Sequence, residues 1–144
     1  SFPEVGTIVT DTLCSWTTLS AHDMKYFSGT VTYRTTFRYR AKGDRVILQL
    51  PAVYDVAAVK LNGKKCGIVW TAPYEVDVTE AIRRGENELI IEVQNTWANA
   101  LRGADTGKAP YRHIWTNATY RRASEELLPA GMVGELKTKT IQIK

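Results

Sequence analysis

An antiparallel β-sandwich in a single domain is the fold class this sequence predicts, and three observations predict it. Apolar and polar residues alternate with period two in several separate stretches, turn residues punctuate those stretches at short intervals, and no segment sustains the 3.6-residue period of a long helix. The chain has 144 residues, 44% of them hydrophobic, which is enough to build one core and little for two.

The clearest strand lies in residues 30–40. There Val31, Tyr33, Thr35, Phe37 and Tyr39 alternate with Thr32, Arg34, Thr36, Arg38 and Arg40, the pattern of a half-buried strand. Lys42-Gly43-Asp44 signals a turn, and the apolar run RVILQL follows it at residues 45–50. The next stretch, YDVAAVKL, carries apolar residues on both faces, as a central strand does. Asn62-Gly63 supplies the positive φ angles of a tight hairpin, returning the chain as KKCGIV. These four stretches are expected to form a four-stranded meander.

Tyr74, Val76 and Val78 then alternate with Glu75 and Asp77. Thr79 is a good N-cap residue and Gly85 follows six positions later, so one helical turn is expected between them. Leu89, Ile91 and Val93 mark a further strand, and KTKTIQIK a last one with Ile141 and Ile143 inward. Residues 96–129 follow neither period. They are rich in Trp, Tyr, Arg and Asn, and a structureless insertion of that length in a compact domain usually binds something, so a long functional loop is expected here.

Charge and motif content exclude several classes. The net charge of +4 comes from Lys and Arg spread along the chain rather than gathered in a block, which gives no nucleic-acid footprint. No stretch approaches the roughly 18 apolar residues of a membrane helix, and the first residues have neither the basic start nor the apolar run of a signal peptide. Cys14 and Cys66 are too few for a disulfide framework and lack metal-binding spacing, so they read as two buried thiols. The nucleophile elbow, the phosphate loop, the dinucleotide-binding glycines and HExxH are all absent. His22 and His113 are the only histidines, and nothing beside them suggests a triad. Glu75 and Asp77 share a strand face, but alternating acids on a solvent face are ordinary, and Glu125 and Glu126 are no better as a glycosidase pair. Asn117-Ala118-Thr119 matches the glycosylation triplet, a pattern that arises often by chance.

Five landmarks occur in order: Y-R-x-x-F from Tyr33, V-x-L-N-G ending at Gly63, D-V-T from Asp77, G-x-N from Gly85, and N-x-W-x-N from Asn95. With them the chain resembles the galactose-binding-like, sugar-binding-type jelly-roll module of family 2 glycoside hydrolases. The segment L-P-A-G-x-x-G from Leu128 to Gly134 makes it most similar to modules near the C-termini of large bacterial α-L-rhamnosidase-like enzymes. The resemblance covers the chain from about Tyr33 onward. It implies that residues 1–144 are one module of a larger multidomain glycoside hydrolase, whose catalytic carboxylates lie on a separate barrel-type domain. It also implies an exported, secreted or periplasmic bacterial parent. No cofactor follows from it. Such modules often carry a structural calcium ion, although no segment here has the dense oxygen-ligand spacing of a calcium loop.

The expected partners are carbohydrate, the parent catalytic domain, or both. A sugar site pairs an aromatic face with amide, carboxylate or guanidinium groups that hold hydroxyls. Trp97, Asn99, Arg102 and Asp105 supply that set within nine residues, and Tyr111, His113 and Trp115 extend it. Each has a structural alternative. Trp97 and Asn99 serve equally to plug the sandwich end and bond loop backbone, and Arg102 can pair with Asp105. Trp70, with Tyr74 beside Pro73, fits a site rim or core packing, and Tyr111 and Trp115 fit a docking surface as well as a sugar platform. A free-standing adhesion or interaction module using the 97–129 surface is the reading from a different class.

Overall fold

A computed structural model describes residues 6–20, 22–40, 45–109, 113–117 and 126–142. Nine strands dominate it: β1 (Thr30–Tyr39), β2 (Arg45–Gln49), β3 (Ala52–Tyr54), β4 (Val56–Leu61), β5 (Lys64–Val69), β6 (Glu75–Asp77), β7 (Gly85–Gln94), β8 (Gly131–Val133) and β9 (Lys137–Ile141). Two short helices accompany them, α1 (His22–Lys25) and α2 (Ala98–Asp105). One sheet runs β1-β7-β4-β5, a second β6-β2-β9, and β3 pairs with β8. Every strand pair is antiparallel.

The period-two pattern explains the sandwich. Val59 and Leu61 of β4, with Leu89, Ile91 and Val93 of β7, face Val46 and Leu48 of β2 and Val76 of β6 in one continuous core. Stacking two such faces removes both from water, at about 25 cal/mol for each Å² of apolar surface buried. Central β4 buries one face only: Ala57, Val59 and Leu61 are inward, whereas Val56 is exposed.

The expected four-stranded meander does not form. β1 pairs with β7 along its whole length, from Thr30 opposite Gln94 to Tyr39 opposite Gly85, and β2 crosses to the other sheet between β6 and β9. Of the proposed neighbours only β4 and β5 pair, through the Asn62-Gly63 hairpin, where both residues have positive φ (51° and 82°). β1 and β7 are matched in length and both carry an apolar face, so they bury more against each other than β1 could against five-residue β2. The turn expected after Thr79 is present as a single turn, closed by the amides of Ala81 and Ile82 donating to the carbonyl of Val78. Ile141 is half-buried on β9, and Ile143 lies outside the described residues.

A second set of contacts closes the sandwich at one side. The indole of Trp16, buried, donates to the hydroxyl of Tyr33 at 2.6 Å, and the amide of Met132 donates to the same oxygen at 3.2 Å. Burial pushes the Tyr33 hydroxyl above its usual range, so it stays protonated near neutral pH. Gly131, the glycine of the L-P-A-G segment, sits at φ +88° where a Cβ would overlap Trp16 and approach the Tyr33 hydroxyl to 2.7 Å. Only glycine fits there.

Candidate functional site

The two ends of the four-stranded sheet are built from different chemistry. At the hairpin end, Asn87 is fully buried, and its amide makes four hydrogen bonds. It donates to the carbonyls of Arg83 and Gly85 at 2.8 and 2.9 Å, and accepts from the Arg83 amide and the Asn62 side chain at 2.9 and 2.7 Å. Asn62 in turn donates to the carbonyl of Ala81 and accepts from the amide of Glu88. Beside them the Asp77 carboxylate accepts from the Thr79 hydroxyl (2.6 Å), the Thr79 amide (3.0 Å) and Arg45 Nε (2.8 Å). These bonds pull the Asp77 carboxyl well below the usual range, to about 2, with the Thr79 hydroxyl the largest cause. Glu75, its neighbour on β6, accepts from Gln49 of β2 at 2.7 Å. Glu75 thus bonds to the residue that faces it on β2, and Asp77 to Arg45, diagonal to it beyond the facing Ile47, the ordinary use of acids on a sheet surface.

The opposite end holds most of the residues singled out from sequence. Asn95 is buried, donating to the carbonyl of Phe27 and accepting from the amide of Gly29, both at 2.9 Å. The chain then turns into α2, where the sequence suggests an irregular loop. That helix has no side-chain cap and contains Asn99 and Gly103, both poor helix formers, so no local signal announces it. Tertiary contacts hold it instead. Gly103 lies so close to Tyr26 and Ala109 that a Cβ would clash with both, and the amide of Ala100 donates to the buried Ser28 hydroxyl at 3.3 Å.

The candidate residues separate accordingly. Asn99 is buried, and its amide both donates to the carbonyl and accepts from the amide of Leu128, at 2.8 and 2.9 Å. It ties α2 to residues 126–130 through both polar atoms of its amide. Arg102 donates to the carbonyl of Glu126, a second tie to the same segment. Asp105 is exposed at the end of α2. Tyr111 lies outside the described residues, as do Glu125 and Ala118 and Thr119 of the glycosylation triplet, while His113 is exposed. Three tryptophans stay largely open to solvent: Trp70 at 68%, Trp97 at 55% and Trp115 at 78% of their full accessibility.

Register places Trp70 and Trp97 at one end of the sheet. Val69 pairs with Ala57 and Gln94 with Val56, so both tryptophans leave strands that flank the start of β4, about 10 Å apart at two strand spacings. The amide of Thr96 donates to Asp55 there. Ile114 packs on the small cluster of Tyr26, Ala100 and Ala109, which sets Trp115 beside α2. Sequence reading missed Ile68, 60% exposed on β5 and opposite Ala58, which extends the apolar surface from Trp70 along the sheet. The spacing of Ile68 and Trp70 two residues apart was the available signal, but only the pairing shows that this face looks outward.

Among the described residues no three His, Cys, Asp or Glu side chains gather as metal ligands, and no helix is long and apolar enough to cross a membrane. Cys14 and Cys66 are both free and half-buried.

Comparison with known proteins gives a consistent picture. Residues 14–128 match the family described as glycosyl hydrolase 2 galactose-binding domain-like. A rhamnosidase from Novosphingobium sp. PP1Y superimposes with a TM-score of 0.78 at 36% identity, covering 88% of this chain and 12% of that one. A β-glucuronidase of an uncultured Clostridium sp. gives 0.52 at 27% identity, over 62% of this chain and 17% of that one. A Formosa agariphila protein, provisionally named a β-glucuronidase, is 41% identical over 97 residues, 65% of this chain and 8% of its own. The chain thus spans a small part of each relative.

Proposed function

We propose, because the chain belongs to the glycosyl hydrolase 2 galactose-binding-like domain family, that it is a non-catalytic accessory module of a larger, exported glycoside hydrolase, bracing the catalytic domain. One observation carries this reading. The polar groups that a sugar platform would need beside the tryptophans, Asn99 and Arg102, hold the segment after α2, while Trp70, Trp97, Trp115 and Ile68 stay exposed. Exposed aromatic surface beside polar groups that are used, among the described residues, to hold the chain itself suits a protein partner better than a sugar. The small share of each relative that this chain covers, 8% and 12% for two of them, leaves ample room for a separate catalytic domain.

The test is association of this chain with the separately produced remainder of its parent polypeptide, followed by sedimentation. The intact chain should associate, and Trp70→Ser and Trp115→Ser together should weaken the complex at least tenfold, in line with the loss of buried aromatic anchors. Hydrolysis of aryl glycosides by the isolated chain, or a remainder that neither binds it nor gains stability from it, overturns the proposal.

A further inference from the structure

The outer face of the four-stranded sheet carries a pattern that the strand register brings together. Ala57, Val59 and Leu61 of β4 and Leu89, Ile91 and Val93 of β7 are buried in the core, so Val56, Ala58 and Lys60, with Ile90 and Glu92, lie on the outer face. Paired residues share a face, which sets Ile68 beside Ala58 and Lys65 beside Lys60. Val69 is buried opposite Ala57, and Trp70 follows it at the sheet edge. Val56, Ala58, Ile68 and Trp70 thus form an apolar strip along the β4–β5 ribbon, with Val56, Ile68 and Trp70 all exposed. The strip starts at the aromatic end and stops at the two lysines, about 15 Å from Trp70 at the rise of a strand.

A β-bulge sets that boundary. Val59 pairs with Gly67 and Lys60 with Lys65, so Cys66 is the extra residue and the two lysines stand directly opposite each other. Like charges in that position oppose folding. Lys60 is half-buried and Lys65 exposed, and among the described residues no carboxylate lies within ion-pair distance of either. Glu88 and Glu92 are diagonal to Lys60 on β7 and two strands away from Lys65. Beyond the β5 edge, Asp77 is held by Arg45 at 2.8 Å and Glu80 lies 3.8 Å from Lys64. A carboxylate brought in from outside turns the repulsion between the lysines into two attractions.

We propose that the outer face of β4–β5 docks a protein surface with an apolar centre and an acidic rim, the apolar part covering Val56, Ala58, Ile68 and Trp70 and a carboxylate seated between Lys60 and Lys65. An apolar centre closed by charge at its border is the usual anatomy of such an interface. The occupant is the remainder of the parent polypeptide, an assignment that rests on the docking reading of the module. A polyanion fits this face poorly, because Glu88 and Glu92 flank the row of Arg34, Ile90 and Lys60 and the strip beside it is apolar.

Binding of the chain to the separately produced remainder, measured by surface plasmon resonance at low and high salt, tests this face. Lys60→Gln and Lys65→Gln together should weaken the complex about tenfold, chiefly by slowing association, and remove most of its salt dependence. Ile68→Ser should weaken it about tenfold through faster dissociation. Arg34→Gln with Arg38→Gln removes the same charge from β1, at the far side of the sheet, and should change affinity by less than about twofold. Without partner, the lysine double variant should melt no lower than the parent chain, since it relieves the facing charges, and this excludes misfolding as the cause. If Trp115→Ser weakens the complex while the lysine and Ile68 variants leave it unchanged, docking stands and this face is overturned. Equal losses from the arginine and lysine variants, or a dimer of the isolated chain that Ile68→Ser dissociates, also overturn it. Absence of any complex overturns the docking reading and this face together.

Discussion

The hairpin end and the aromatic end of the same four-stranded sheet solve the problem of closing a sandwich in opposite ways. At the hairpin end short polar side chains fix the turns: Asn62, Asn87, Asp77 and Thr79 each bond to nearby backbone. At the other end Asn95 ties the end of β7 to residues 27–29, Asn99 and Arg102 tie a capless helix to residues 126–128, and large apolar side chains are left outside. The first end can be complete in isolation. On the proposed function, the second end, with its exposed aromatic side chains, is the one that would meet the rest of a larger protein.

Substituting Asn87 and Asn99, one buried asparagine from each end, should break this comparison most sharply. Asn87→Ala removes four hydrogen bonds and leaves backbone groups of Arg83 and Gly85 without this partner, so at about 1 kcal/mol per bond it should destabilise the chain by about 3 to 4 kcal/mol in urea unfolding. Asn99→Ala removes only two bonds, both to Leu128, and about 1 to 2 kcal/mol is expected. If the order were reversed, the aromatic end would be the better anchored of the two. Amide exchange should further show residues 98–105 opening before the β4–β5 hairpin.

Acid sharpens the contrast further, because Asp77 belongs to the hairpin end. Its folded-state pKa, about 2, lies below the ordinary value of 3.8. The stability it contributes is therefore complete above that ordinary value and is lost as pH falls from about 4 toward 2. Asp77→Asn should flatten the acid side of a stability profile over that interval and leave it unchanged at pH 7 and above in slope. A profile identical to that of the parent chain would mean that the Thr79 and Arg45 bonds do not persist in solution.

The smallest expected effect is at the exposed surface. Trp70→Ser and Ile68→Ser should each change the stability of the isolated chain by no more than about 0.5 kcal/mol, as surface substitutions do. A loss of 2 kcal/mol or more would show that these side chains are packed in solution, and the aromatic end would then lose its standing as a docking surface.

Much of this architecture was legible before any coordinates. Alternation in residues 30–40 and 85–94 marked β1 and β7 with their inward faces, and Asn62-Gly63 marked the one hairpin correctly. The five ordered landmarks identified the family, and the structure supplies their physical reason: Asn62, Asp77, Asn87 and Asn95 are turn-fixing groups whose bonds demand those residue types. The candidate site was less legible. Asn99 and Trp97 are two residues apart, yet one is buried and the other exposed, and nothing in their composition distinguishes a group that binds backbone from one that binds a ligand.

By itself, then, the sequence determined what local chemistry can dictate: strand faces through period-two burial, turns through positive φ and short polar side chains, and the family through the set of turns those make together. Tertiary structure alone decided that β1 pairs with β7 rather than β2, that α2 forms without a cap because Gly103 admits Tyr26, and that Lys65 faces Lys60 across a bulge. Those outcomes depend on which surfaces meet after distant segments come together, and the free energy that selects them is distributed over contacts no local window contains.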